Sequence, residues 1–224
     1  MALVVALAAV MRHAPFRLPS SNADPSLLRE FGLDAARPFA TLHSGARTAS
    51  RKWPLANYLA LAQRLISERG LQVALLVDAR AELDGVEAAV LTSPDLHVVA
   101  HHLSFPHLDG LVSRCALFVG NDTGPKHLAS TRGAPVVSIH MGAVNWREWG
   151  QETGLIVTRR TPCYGCGVEA IEECGKGLPC LLNISVDDVF GAVERALAIS
   201  KQANRSVEHA GTPVLHEVEV DAGY

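Results

Sequence analysis

The sequence predicts an α/β fold, a Rossmann-like doubly wound parallel sheet. Three observations carry this: continuous apolar runs of strand length, amphipathic helical stretches alternating with them, and a Gly- and Asp-containing turn leading from one such run into a helix. The 224 residues are 48% hydrophobic, enough for one large or two small domains with a substantial core. A formal net charge of −3 lacks the basic excess that neutralises phosphates along a nucleic acid, so nucleic acid is excluded as a general partner and any anion must be held locally.

The elements follow in order. Met1 to Met11 is apolar, but no basic residue precedes it and it is too short to span a bilayer; it reads as a truncated helix of a larger fold. Residues 12–37, with Pro15, Pro19 and Pro25, read as a linker or peripheral helices, so 1–37 is expected to be the remnant of a preceding domain or a linker. Pro38 to His43 is a buried strand. Pro54 to Arg69 places Leu55, Tyr58, Leu59, Leu61, Ala62, Leu65 and Ile66 on one helical face, and Gly70 stops it. Leu71 to Val77 is an apolar run suited to a parallel strand covered on both faces.

The alternation continues with a helix near Ala81 to Leu91, a weak strand Leu96 to Ala100, a helix Pro106 to Arg114, the strand Ala116 to Val119, a helix Pro125 to Thr131 and the strand Pro135 to His140. A final helix is expected from Val186 to about Ile199, closing a domain of residues 38–200. Residues 201–224 read as a polar tail. In doubly wound sheets ligands bind outside the carboxyl ends of the strands, so the loops after His43, Val77, Val119 and Ile139 are the informative ones.

The stretch from Cys115 to Ala129 runs a strand into Gly120-Asn-Asp-Thr-Gly and opens a helix with Pro125 in its first turn. Free backbone N–H groups and the peptide dipoles make such a helix start an anion site, with Asp122, Thr123, Lys126 and His127 around it. An ordinary capped helix start is equally consistent with these residues. The loop His43-Ser-Gly-Ala-Arg-Thr-Ala-Ser-Arg-Lys-Trp-Pro supplies small residues and the cations Arg47, Arg51 and Lys52, but lacks the Gly-Lys-Ser/Thr of a P-loop, which argues against a nucleotide hydrolase. Lys52 stands at a helix start, where the dipole disfavours a cation; it is either solvated or it neutralises a diphosphate. Asp78 and Glu82 offer carboxylates that are either solvated or accept hydrogen bonds from ribose hydroxyls. Trp146 and Trp149 in the fourth loop either pack a base or sugar or seal the sheet edge. His101, His102 and His107 lack a ligand motif.

Cys115 reads as core, whereas Cys163, Cys166, Cys174 and Cys180 fall within 18 residues, in the loop 161–181. Structural metal, reactive or disulfide-bonded thiols and packed free thiols remain open, since only Cys163 and Cys166 have zinc-knuckle spacing. With no export signal in these residues, a reducing compartment is expected.

Together these pieces resemble the glycosyltransferase family 9 heptosyltransferases of lipopolysaccharide core assembly. The matching residues are His43-Ser-Gly-Ala with Arg51-Lys-Trp-Pro, the acidic loop with Glu82, and above all Asn121-Asp-Thr-Gly-Pro-Lys-His-Leu-Ala. Pro135-Val-Val-Ser-Ile-His-Met-Gly, Trp149 and the four clustered cysteines add support. The resemblance covers roughly residues 38–198. Gly150 follows Trp149 where relatives often carry proline, and the cysteine spacing is loose, which bears on subfamily more than on fold.

The resemblance implies one half of a GT-B fold, the nucleotide-sugar-binding C-terminal half, with the acceptor domain and its general base expected to be absent from this chain. It places Ser44 and Gly45 at the donor phosphates, Lys52 against the diphosphate as the catalytic cation, and Glu82 on the ribose. Asp122 is expected to orient sugar hydroxyls, with Thr123 and Gly124 binding phosphate through their backbone and His127 in support. The reaction implied is inverting transfer from a nucleoside diphosphate sugar, ADP-heptose by resemblance, to a lipopolysaccharide core acceptor, without a cofactor, at the cytoplasmic face of the inner membrane. Two other readings remain: a non-catalytic or partner-dependent nucleotide-sugar-binding module or inactive fragment, and a zinc-stabilised interaction domain whose phosphate loops are coincidental.

Overall fold

The computed structural model describes residues 26–84, 86, 92–100, 103–144, 150–151, 153–168, 170–206 and 216–221. The expectations for Met1 to Met11, His101, His102, Trp146 and Trp149 lie outside these residues. One sheet of seven strands runs through the molecule: β1 (Phe39–His43), β2 (Gln72–Leu76), β3 (Leu96–Val99), β4 (Leu117–Asn121), β5 (Val136–Ile139), β6 (Leu155–Arg160) and β7 (His216–Asp221). Their order is β3-β2-β1-β4-β5-β6-β7, and every pair is parallel. The α/β class, the parallel sheet and its double winding are therefore as the sequence predicts.

The helices are α1 (Ser26–Glu30), α2 (Leu55–Arg69), α3 (Phe105–Val112), α4 (Gly124–Thr131), α5 (Pro179–Leu182) and α6 (Val186–Ser206). The period-two alternation of each strand divides its apolar side chains between two cores. Ala40, Leu42, Val73, Leu75, Leu117 and Val119 join Tyr58 and Leu61 of α2 and Val189 and Val193 of α6 on one face. Phe39, Ala74, Leu76, Phe118 and Val136 join Leu28 of α1, Leu111 of α3 and Ala129 of α4 on the other. Because α2 follows β1 on one face and α4 follows β4 on the opposite face, the adjacent carboxyl ends of β1 and β4 form the topological switch point, where a crevice opens.

Helix α2 ends as expected at Gly70, whose φ of 63° is left-handed and whose N–H returns to the carbonyl of Ile66. Helix α6 begins with a reciprocal cap: Asp188 N–H donates to Ser185 Oγ at 3.1 Å and Ser185 N–H to Asp188 Oδ2 at 2.8 Å.

Three stretches differ from the sequence reading. Strand β6 was not expected, because Gly154-Leu-Ile-Val-Thr-Arg-Arg offers only three consecutive apolar residues before its polar end. Gly154 makes that strand possible: at φ 116° it passes so close to β5 that a Cβ would lie 2.3 Å from the Val136 carbonyl oxygen. The polar tail 201–224 contains the last turn of α6 and the edge strand β7, whose alternation His216-Glu-Val-Glu-Val-Asp is a strand period hidden by its charge. Of the helix expected near Ala81 to Leu91, the described residues form only a single 3-10 turn, Arg80–Leu83.

Candidate functional site

Asn121, the last residue of β4, organises the crevice. Its amide is fully buried and satisfies four groups: Oδ1 accepts from the Trp53 N–H and the Tyr58 hydroxyl, both at 3.0 Å, while Nδ2 donates to the carbonyls of Ser44 at 2.8 Å and Gly45 at 3.3 Å. One side chain thus ties the end of β4 to the loop after β1 and to the start of α2. Trp53 extends the tie, donating Nε1–H to the Ile184 carbonyl at 2.9 Å and packing edge-on against Tyr58 at 5.0 Å. The sequence reading included Asn121 in the motif without a role of its own; an amide at a strand end beside an aspartate is the signal that could have raised it.

The loop after β1 brings Lys52 between two carboxylates from the segment after β2. Its ammonium lies 2.8 Å from Asp78 Oδ2 and 3.2 Å from Glu82 Oε1. Partial burial works to lower the Lys52 pKa, and the hydrogen bonds to Asp78 and Glu82 outweigh it, so the group is held above its ordinary value and remains an ammonium. Glu82 also lines a groove of about 440 Å³ between α2 and the segment after β2, with Leu55, Leu59, Gln63, Asp84 and Val86. Gly45 is required for this arrangement: a Cβ there would lie 2.2 Å from Asp78 Oδ1. Ser44 is only 2% exposed, and both its N–H and its hydroxyl donate to the Leu76 carbonyl, at 3.1 and 3.2 Å; its hydrogens serve β2 and not the mouth of the crevice.

After β4 the chain turns through Asp122 and Thr123 into α4. Thr123 has extended backbone and its side chain does not cap the helix; Oγ1 lies instead 3.4 Å from His43 Nδ1. Gly124 faces open space, with no atom within 4 Å of where a Cβ would stand. His127 is exposed on the same helix. Helix α4 is anchored at its far end, where Arg132 grips Asp109 of α3 through two bonds of 2.5 and 2.7 Å.

Beneath Asp122 lies a buried polar group that joins Lys126, expected from the sequence around the anion site, to His140. Lys126 has no exposed side-chain surface; its ammonium lies 2.5 Å from Asp122 Oδ1 and 3.0 Å from His140 Nε2. His140 Nε2 is also 3.0 Å from Ser138 Oγ, which donates to Gln151 Oε1 at 2.8 Å. Burial, reinforced by the Lys126 charge, pushes the His140 imidazole down to about 3, so the ring is neutral. His43 is likewise pushed down to about 4, chiefly by burial. For Asp122, burial works to raise the carboxyl, but His140, Lys126 and the guanidinium of Arg51 together hold it below the usual range.

The clustered cysteines are all free, and among the described residues no three His, Cys, Asp or Glu side chains are arranged to hold a metal ion. Cys174 is half-buried and accepts the Leu178 N–H at 3.3 Å; backbone hydrogen bonds lower its thiol pKa, whereas burial raises that of Cys180. No helix among the described residues is long and apolar enough to cross a membrane.

A parallel sheet in the order 3-2-1-4-5-6-7, with an ammonium, a carboxylate and a helix start that no side chain caps near its switch point, defines a Rossmann-like α/β domain. Comparison with known proteins carries this to the family: the profile of glycosyltransferase family 9 (heptosyltransferase) matches residues 11–168, and the chain belongs to that family. The match begins within the segment read as linker or remnant and ends before Cys174. Lipopolysaccharide heptosyltransferase 3 of Escherichia coli is 29% identical over 139 residues, 59% of this chain and 39% of that protein. Lipopolysaccharide heptosyltransferase 2 of Salmonella typhimurium is 28% identical over 130 residues, 55% of this chain and 37% of its own length. Among solved structures, the ADP-heptose lipopolysaccharide heptosyltransferase II of E. coli superposes with a TM-score of 0.64 at 20% identity, over 83% of this chain and 54% of that one. A family 9 glycosyltransferase of Veillonella parvula gives 0.63 at 19%, over 83% and 53%. The chain thus spans little more than half of these folds and well under half of the curated relatives.

Proposed function

We propose that this chain is the donor-binding half of an inverting glycosyltransferase that moves a heptose-type sugar from ADP-heptose to a lipopolysaccharide core acceptor. The observation that carries the reading is the switch-point crevice, where Lys52, Asp122 and the start of α4 converge from β1 and β4. The names of the relatives support the sugar and the acceptor, and the ADP-heptose in the name of the E. coli structure supports the donor.

In this reading the acceptor hydroxyl attacks the anomeric carbon, the bond from that carbon to the diphosphate oxygen breaks, and ADP departs with the bonding pair. The acceptor's proton passes to a base supplied by the other half of the enzyme. The diphosphate lies over the start of α4, where the backbone of Thr123 and Gly124 and the peptide dipoles receive its charge. Lys52 turns from Glu82 toward the diphosphate as negative charge develops, and the freed Glu82 takes the ribose hydroxyls from the wall of the groove. Asp122 accepts hydrogen bonds from sugar hydroxyls, and His127 supports the phosphate from the exposed face of α4. Within such an enzyme, residues 38–200 act as the nucleotide-sugar domain.

The second reading is a nucleotide-sugar-binding module that needs a partner chain: the residues gathered at the crevice serve donor binding in either case, and none of them is assigned as base for an acceptor. Incubation of the purified chain with ADP-heptose and a truncated lipopolysaccharide core separates the two. Release of ADP with growth of the core supports an enzyme in this chain; donor binding without release supports a module or a half; neither, in a folded chain, contradicts both.

A further inference from the structure

We propose that Lys126 is a positioning residue for Asp122: with His140 as its buried partner, it fixes the Asp122 carboxylate at the mouth of the crevice and keeps it ionised. The proposal rests on reading that crevice as the donor site.

The argument begins with what local physics disfavours. An ammonium in the first turn of a helix opposes the dipole, and one with no exposed surface gives up its hydration. Arg51, a second cation, adds to the repulsion. A helix of this kind gains nothing from such a residue that a solvated side chain would not give, and departures from local rules concentrate where a site requires them.

The geometry shows what is gained. Lys126 donates to Asp122 Oδ1 at 2.5 Å and to His140 Nε2 at 3.0 Å. With the imidazole neutral and Nε2 accepting, its hydrogen resides on Nδ1, 3.8 Å from Asp122 Oδ2. Both carboxylate oxygens are therefore faced by a positive or donor group from the protein side. Asp122 keeps 17% of its side chain exposed, and its remaining lone pairs are available to ligand hydroxyls. The charged and titratable groups facing Asp122 are Lys126 on α4, His140 after the end of β5 and Arg51 from the turn after β1; His127 adds its field at His140.

The test is titration of the Asp122 carboxyl by carbon-13 NMR in the full chain, wild type and Lys126→Met, with circular dichroism confirming that the variant is folded. The Asp122 midpoint is expected to rise in Lys126→Met, and ADP-heptose affinity measured by calorimetry to fall roughly tenfold, in keeping with loss of a charge-assisted contact. In the wild type, which needs no variant to fold, the nitrogen-15 signal of Lys126 Nζ is expected to shift at the same pH at which Asp122 titrates. An unchanged Asp122 midpoint in a folded variant, or a Lys126 signal blind to that titration, overturns the proposal. Failure of wild-type chain to bind ADP-heptose counts against the donor-site reading instead, and the two titrations still judge Lys126.

Discussion

Replacing Asn121 by alanine tests whether one amide holds the crevice together. In the wild type its Oδ1 receives the Trp53 N–H and the Tyr58 hydroxyl, and both donors belong to residues with 1% or less of their surface exposed. The substitution orphans both and removes the donor shared by the Ser44 and Gly45 carbonyls. With each unsatisfied buried group costing about 1–3 kcal/mol, and some relaxation around the small cavity, the variant is expected to lose about 3–5 kcal/mol of stability. Tyr58→Phe in the wild type removes one bond while Asn121 Oδ1 keeps the Trp53 N–H, and costs about 1 kcal/mol. In the Asn121→Ala background the same change removes an orphaned hydroxyl, so its cost falls to about zero or becomes a gain, a coupling of about 1–3 kcal/mol. Urea unfolding of the four proteins reads this cycle directly. If Tyr58→Phe costs the same in both backgrounds, the hydrogen bond on which the tie rests contributes nothing and the reasoning is wrong.

Acid is expected to destabilise the fold through two imidazoles. His43 and His140 lie at about 4 and about 3 in the folded chain against 6.5 unfolded, so between pH 6.5 and about 4 the unfolded chain binds more protons and stability falls as pH falls. The slope approaches about 2.7 kcal/mol per pH unit for two such groups, and Asp122, whose carboxyl is held below its ordinary value, adds loss in the same direction at lower pH. Unfolding free energies that stay flat across this window would mean that both rings are protonated in the fold, and about half the slope that one of them is. Lys52→Ala is expected to slow transfer by the assembled enzyme roughly a hundred- to a thousandfold, the loss of about 2.7–4 kcal/mol that follows removal of a preorganised charge-stabilising group. A steady-state assay with near-normal turnover would take Lys52 out of the reaction.

Much of the fold was legible because parallel strands buried on both faces write themselves as apolar runs, as Leu71 to Val77 does, and because Gly70 marks a helix end with its left-handed backbone. Strand β6 was not, since its residues after Val157 turn polar, and β7 was hidden by charges alternating with its valines. The loops of the candidate site were marked from the alternation of strands and helices and from the resemblance. The inner partners were not: Asn121 reaches residues 63–77 positions away, and His140 meets Lys126 across 14, contacts that no local pattern encodes. Ser44 shows a partner that the sequence does not write: its N–H and hydroxyl both donate to the Leu76 carbonyl, 32 positions away.

The most direct test of the donor-site account is calorimetric titration of the purified full chain with ADP-heptose, alongside Asp122→Ala. Saturable binding by the wild type that the substitution weakens is the predicted result, since Asp122 both faces the ligand and anchors the Lys126 charge under α4. Absence of binding by a folded wild-type chain, or equal binding by both proteins, would contradict it.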